Sequence, residues 1–373
     1  MNANGWQTIS ARLLRGGGPF LGLLATWALF AVAAGPLFTA WNNTELMLLQ
    51  TAVVGTAAIG ATWIVISGGI DLSVGSSIAL ATMVGAMVLR AGGHWTLAAL
   101  ATTATGAGVG FLIGALVTGS LARVAIAIAS GGLAVIACGA WLPEGDARMI
   151  ARIGVFVGTA AVAFVATARL RWRLPLSPFL VTLGLWGTLR GLAKGLGGNQ
   201  PVYFERNDAL AGLMLPGNAL LPAGVWIMLA VAAGMIAIAR GTVFGRHVFA
   251  LGANRQATRL SGIDVERTEL LVYVLGGTCA GVAALLQLAY LSMGDPTTAQ
   301  GLELKAVASA VIGGASLTGG EGSFLGTLVG AFVMTVVDNG CTKLGLDNWV
   351  QEVVTGAIIV AAVALDRWRQ QRR

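Results

Sequence analysis

Few side chains in this sequence have the type and spacing for chemistry, and most of them fall in one stretch. GRHVFALGANRQATRLSGIDVERTELLVYV, residues 245–274, carries Arg246, Arg255, Arg259 and Arg267 within an otherwise apolar chain. Arg255 and Arg259 share a helix face at i, i+4, while Ala253, Ala257 and Leu260 share another. Asn254 suits the start of such a helix and Gly262 its end. The spacing predicts a two-turn amphipathic helix over 254–260. Asp264 and Glu266 then favour the positive end of the next helix. Such a helix docks rather than catalyses. It can anchor on anionic lipid or seat in a groove of another protein.

Catalytic and metal chemistry have little to work with. His94 and His247 are far apart, and Cys138, Cys279 and Cys341 show neither metal-ligand nor disulfide spacing. No GxxxxGK[ST] phosphate loop occurs. No nucleophile stands near a base, so the chain is expected to be neither an enzyme nor a metal or nucleotide binder.

Charged residues inside apolar runs are the second signal, because charge at bilayer depth is costly. Arg190 and Lys194 end one such run, just before GLGGNQPVYF with Asn199 and Gln200. Both cations can snorkel to the interface; alternatively Arg190 lines a polar path. Two stretches resemble each other: GGIDLSVG at 68–75 and GGASLTGG at 313–320. In each, glycine (Gly68, Gly69; Gly313, Gly314) is expected to end a helix, and Asp71 or Ser316 to cap the next. Ser73 follows in the first. Broken helices of this kind can line a polar route. Glu303 and Lys305 are expected to pair locally, and Asp71 and Asp338 to lie at helix junctions. Trp63 and Trp186 suit apolar packing or stacking on a ligand.

The elements that must position these residues are membrane helices. The chain is 56% hydrophobic and 10% charged, against about 25% charged in soluble domains. Apolar runs of bilayer length recur throughout, without the short alternation of a β-barrel. The fold class is all-α, a polytopic membrane protein. Expected spans are 18–40, 46–67, 72–91, 95–118, 121–142, 150–168, 175–196, 222–239, 268–292, 303–319, 322–341 and 350–366. With the N-terminus inside, Arg12, Arg15, Arg123, Arg169, Arg171, Arg173, the 245–274 island and the DRWRQQRR tail all fall on the cytoplasmic side. Arg90, Arg148, Arg152, Arg206 and Lys343 stay outside, so the distribution is positive-inside. Orientation therefore accounts for the +7 charge, and no aromatic-interleaved patch points to nucleic acid. Span 303–319 is short and holds Gly313 and Gly314, which suits a re-entrant segment. The charge rule favours a crossing, because the tail would otherwise end outside.

The 245–274 stretch resembles the cytoplasmic loop of bacterial ABC importer permeases of the ribose, xylose and galactose type. SGGIDLSVGS at 67–76, SPFLVTLGLWGTLRGLAKGLGGNQPV at 177–202 and ELKAVASAVIGGASLTGGEGSFLGTLVGA at 303–331 match the same family in order. The resemblance implies a type II-like permease, one transmembrane domain over 1–373, with about ten core helices. The loop at 240–267 would hold the coupling helix, with Asn254, Arg255, Ala257, Thr258, Arg259, Leu260, Ser261 and Gly262 meeting a separate ATPase subunit. ATP and Mg would sit on that subunit. A periplasmic sugar-binding protein, a homodimeric permease and the bacterial inner membrane, with both termini cytoplasmic, are also implied. Substrate would pass Gly68, Gly69, Asp71, Ser73, Arg190, Asn199, Gln200, Gly313, Gly314 and Ser316. The match breaks across 119–168, where two further apolar runs flank PEGDAR. A helical hairpin at 121–168, making about twelve spans, preserves the side of every later loop. Longer, xylose-type members look similarly extended, which tilts the substrate towards a pentose. The alternatives are a branched-chain amino acid or nucleoside permease, and a secondary transporter or channel. The last would need intramembrane ionisable groups for coupling.

Overall fold

The computed structural model describes residues 3–119, 121–138, 146–167, 176–215 and 221–371. Arg169, Arg171, Arg173, Arg372, Arg373 and the first residues of PEGDAR lie outside the described residues. The chain opens with α1 (Ala3–Ala34), α2 (Pro36–Thr39), α3 (Trp41–Ile66), α4 (Val74–Arg90) and α5 (Trp95–Val117). There follow α6 (Leu121–Cys138), α7 (Asp146–Ala166), α8 (Pro178–Leu196), β1 (Val202–Tyr203) and α9 (Asp208–Ala211). Next come α10 (Ala223–Gly241), α11 (Val243–Ala253), α12 (Arg255–Leu260), α13 (Val265–Leu291) and β2 (Met293–Gly294). The chain closes with α14 (Leu302–Ile312), α15 (Phe324–Lys343) and α16 (Asn348–Gln371).

Among the described residues, six helices are long and apolar enough to cross a membrane: the Gly17–Ala34 part of α1, α3, α5, α10, α13 and α15. Shorter apolar helices run over Val74–Arg90, Ile126–Cys138, Ala151–Ala166 and Asn348–Ala364. The expected crossing at 303–319 needs correction. Its helix, α14, has 11 residues, about 16 Å at 1.5 Å per residue, where a bilayer core needs about 30 Å. Gly314 stops it in a left-handed turn (φ 97). Gly314 N–H bonds to Val311 O and Ala315 N–H to Ala310 O, the paired bonds of a Schellman end.

The chain forms two compact units. The first comprises Met1–Gly68, Pro216–Asn254 and Leu304–Arg373. Its core is the seam between α3 and α15, which carries polar pairs at two levels. Asn43 and Asn339 exchange amide hydrogen bonds (2.8 and 3.0 Å), and the hydroxyls of Thr62 and Thr327 lie 2.7 Å apart. In lipid there is no hydrophobic drive between helices, so such bonds and close packing supply the cohesion. Close packing is literal between α14 and α15: a Cβ on Gly330 would sit 2.2 Å from Ser309 O. Trp63 is fully buried between Phe244 and Phe324, with centroids at 5.6 and 5.1 Å. Its indole packs in the core, with Nε1 buried and without a hydrogen-bond partner.

The second unit comprises Gly69–Leu215 and Arg255–Glu303. Its spine is α5 against α13, two helices in backbone contact. A Cβ on Gly106 would lie 2.4 Å from Gly277 O, and one on Gly110 2.2 Å from Tyr273 O. α4 packs on both. The antiparallel pair α6 and α7 leans on α5 through Phe164, whose ring meets Phe111 edge-on at 4.5 Å. Its far side leaves Leu133, Ile136, Val162 and Val165 exposed, as a lipid-facing surface would.

Candidate functional site

In the second unit, polar residues gather where α8 and α13 end. β1 pairs antiparallel with β2, Val202 opposite Gly294 and Tyr203 opposite Met293. Gly294 has no room for a side chain, because a Cβ would lie 2.6 Å from that of Ala86 on α4. Beyond β2, Asp295 accepts from Thr297 N–H and its hydroxyl (2.8 and 2.7 Å). That turn presents two carbonyls to α8. Arg190 donates through one nitrogen, Nη1, to Pro296 O (3.0 Å) and Thr298 O (2.6 Å). Gln287 donates to the Thr298 hydroxyl at 2.9 Å.

Glu303 completes this cluster. Trp186 Nε1 donates to its Oε1 at 3.2 Å, while Oε2 is buried with no hydrogen-bond partner. The second guanidinium nitrogen of Arg190, Nη2, is likewise buried and unpartnered. Oε2 presses on α4 where Gly75 leaves space; a Cβ there would sit 2.2 Å away. The expected pairing of Glu303 with Lys305 does not form. Lys305 instead binds Asp338 at 2.5 Å, and Asp338 lies within α15 rather than at a junction. Residues at i, i+2 point to different helix faces, which is why these neighbours part.

Three non-glycine residues in this region adopt positive φ: Asn199 (63°), Ser292 (54°) and Ala299 (57°). Such conformations cost about 1–3 kcal/mol each and collect at functional sites. Asn199 and Gln200 form a tight exposed turn after α8, their amides bonding to Lys194 O and Gly197 O. Lys194 is exposed while Arg190 turns inward. Sequence reasoning missed Gln287, Asp295 and Thr298, and read Glu303 only as a partner of Lys305. Gln287 is a lone polar residue in an apolar run, and Asp295 and Thr298 sit in the short DPTTAQ stretch, which matches no motif.

The two glycine stretches need a correction at their caps. Asp71 does not cap α4; Ser73 occupies that position, without a side-chain cap bond. Asp71 accepts from Ser73 N–H and its hydroxyl (2.7 and 2.6 Å). Ser316 repeats this geometry on Thr318 (3.3 and 2.8 Å), and Ser323 caps α15. In both stretches the chain prefers a local i to i+2 turn, so the helix starts later. Gly68 (φ 84) ends α3 as Gly314 ends α14. Gly69 and Asp71 are buried in the second unit.

Within the first unit the glycine stretches converge. Gly320 N–H donates to Ile66 O (2.8 Å), the Gly319 backbone approaches Gly68, and Gly313 packs directly on Gly326 and Thr327. Gly252 of α11 enters the same junction, with its missing Cβ direction only 1.8 Å from Ile66 O.

The basic island is helical as its spacing predicts. α12 follows Asn254, which is extended (φ −160), and ends at Gly262 (φ 80). Gly262 N–H bonds to Arg259 O and Ile263 N–H to Thr258 O. Its arginines, however, turn back onto α13. Arg255 forms a two-pronged pair with Glu269 (2.9 and 2.7 Å), and Arg259 pairs with Glu266 at 2.5 Å. The Glu269 hydrogen bonds raise the Arg255 guanidinium pKa above its ordinary value, against partial desolvation. Thr258 is buried, Ala257 and Ser261 are exposed, and Leu260 is 87% exposed. Two charges that suited an anionic lipid surface are already neutralised, leaving an apolar edge outward.

A helical, glycine-packed chain with several apolar helices long enough to span a bilayer is an integral membrane protein. The chain belongs to the family described as branched-chain amino acid transport system / permease component, whose model matches residues 117–363. It is 33% identical over 353 residues to the ribose import permease protein RbsC of Escherichia coli K12, covering 93% of each chain. It is 31% identical over 377 residues to the xylose transport system permease protein XylH of the same strain, covering 92% of this chain and 91% of the relative. A probable ABC transporter permease protein, YphD, is 41% identical over 195 residues, or 52% of this chain and 58% of its own. No solved structure matches the chain.

Proposed function

We infer that this chain is the permease subunit of an ATP-driven importer that carries a monosaccharide across the bacterial inner membrane. The observation that carries this is similarity along nearly the whole chain to ribose and xylose import permeases. ATP and Mg are held by a separate ATPase subunit, and a periplasmic binding protein delivers the sugar. The permease works as a homodimer, and the α6–α7 hairpin is an insertion in a type II-like core. α12 is the coupling helix. Support for that comes from the Gly262 turn that ends it and from its outward Ala257, Leu260 and Ser261.

The sugar path passes the polar cluster of Arg190, Asn199 and Gln200 and the glycine turns at 68–73 and 313–316. Strained residues and unpartnered polar atoms in the second unit favour a working site there. Proteoliposomes containing the permease, ATPase subunit and binding protein test the proposal. ATP-dependent uptake of labelled D-ribose or D-xylose is expected; uptake of labelled leucine instead would return the substrate to the branched-chain amino acids.

A further inference from the structure

The two ion pairs under α12 join a six-residue helix to a twenty-seven-residue one. The covalent link, Ser261–Asp264, contains Gly262 in a left-handed turn and so leaves α12 a swivel. Arg255 and Arg259 stand at i, i+4, and Glu266 and Glu269 at i, i+3, so the links run face to face. They differ in quality. Arg259–Glu266 is the more exposed of the two, with side chains 60% and 26% exposed. Arg255–Glu269 is bidentate, with the Glu269 side chain only 7% exposed. A two-pronged guanidinium–carboxylate pair fixes direction as well as distance. From Glu269 onward α13 is in backbone contact with α5 through Tyr273, Gly277 and Gly281, so the two helices move as one body.

We propose that the Arg255–Glu269 pair is the rigid link through which displacement of α12 becomes displacement of α13, with Glu269 as its positioning residue. The proposal rests on α12 docking to the ATPase subunit. Without the pair, α12 still docks through its outward edge, but it swivels on Gly262 and leaves α13 behind.

The test uses the complex of permease and ATPase subunit in nanodiscs, with Cys138→Ala to remove a half-buried thiol. An environment-sensitive fluorophore is placed at Gln256→Cys on α12 or at Tyr290→Cys at the far end of α13, both exposed positions. Trapping with ATP and vanadate is expected to change emission at both sites. Glu269→Gln is expected to keep the Gln256 response and lose the Tyr290 response. The exchange Arg255→Glu with Glu269→Arg should restore it. Arg255→Lys keeps the charge without the fork and should weaken the Tyr290 response, which decides the matter if Glu269→Gln fails to assemble. A Tyr290 response unchanged in these single variants overturns the proposal, as does a silent Tyr290 with a responsive Gln256 in the unmodified protein. A silent Gln256 there overturns the docking reading, and the link with it.

Discussion

The amide of Gly320 donates a hydrogen bond to the carbonyl of Ile66 at 2.8 Å. Ile66 is the last residue of α3, and its carbonyl is one of the groups a helix end leaves without an internal partner. A residue from the second glycine stretch therefore finishes the helix that leads into the first. Gly252, eight residues before Leu260, closes over the same carbonyl. Any side chain at Gly252 must displace backbone, not a flexible tip.

Gly252→Ala is accordingly expected to destabilise the protein by more than about 2 kcal/mol, the range of overpacking. Gly184→Ala in α8 meets nothing within 4 Å and should be neutral or stabilising by up to about 1 kcal/mol. Thermal unfolding in detergent, monitored by circular dichroism, compares the two. Equal midpoints would mean that the Ile66–Gly320 junction opens without cost.

Lys305 and Asp338 hold α14 to α15 from a partly buried position, with side chains 29% and 25% exposed. Removing one partner strands the other. Lys305→Met and Asp338→Leu should each destabilise, and the double variant should be less damaging than the sum. A double-mutant cycle is expected to give a coupling of about 1–2 kcal/mol, discounted for the exposed fraction. Strict additivity would show that the pair contributes nothing beyond proximity.

Asp71 accepts two hydrogen bonds from Ser73, and an amide oxygen can accept both. Asp71→Asn should therefore unfold within about 1 kcal/mol of the native protein. Asp71→Ala strands a buried amide and hydroxyl, at about 1–3 kcal/mol. If Asp71→Asn keeps its stability yet slows ATP-driven sugar uptake, the carboxylate charge matters to the path. Equal stability loss in Asn and Ala would contradict the i to i+2 turn.

Glu303→Gln keeps an acceptor for Trp186 and should leave assembly intact. Gly75→Ala drives a Cβ into both Glu303 Oε2 and Ala299 O. Because Ala299 O is backbone, trimming Glu303 to Ala in the same chain should not rescue it. Recovery of folded-protein yield in that double variant, measured by size-exclusion chromatography, would show that the loop at Ala299 yields instead.

Much of this protein is legible along the chain because bilayer solvent imposes local rules. Apolar runs must be helices in lipid, so the helices themselves followed from hydropathy, although α14 proved too short for a crossing. Glycine with a free left-handed conformation ends α3, α12 and α14 where expected, because helix termination is decided within a few residues. The α12 pattern was equally local. What only the tertiary structure decided is partnership. Arg255 and Arg259 read as a basic surface, yet their carboxylates wait on α13; Lys305 passes over its neighbour for Asp338, 33 residues away. Arg190 finds carbonyls of a loop 106 and 108 residues distant. Each polar group takes whichever partner packing brings within reach, in lipid because charge is not solvated there, and sequence spacing does not record that distance.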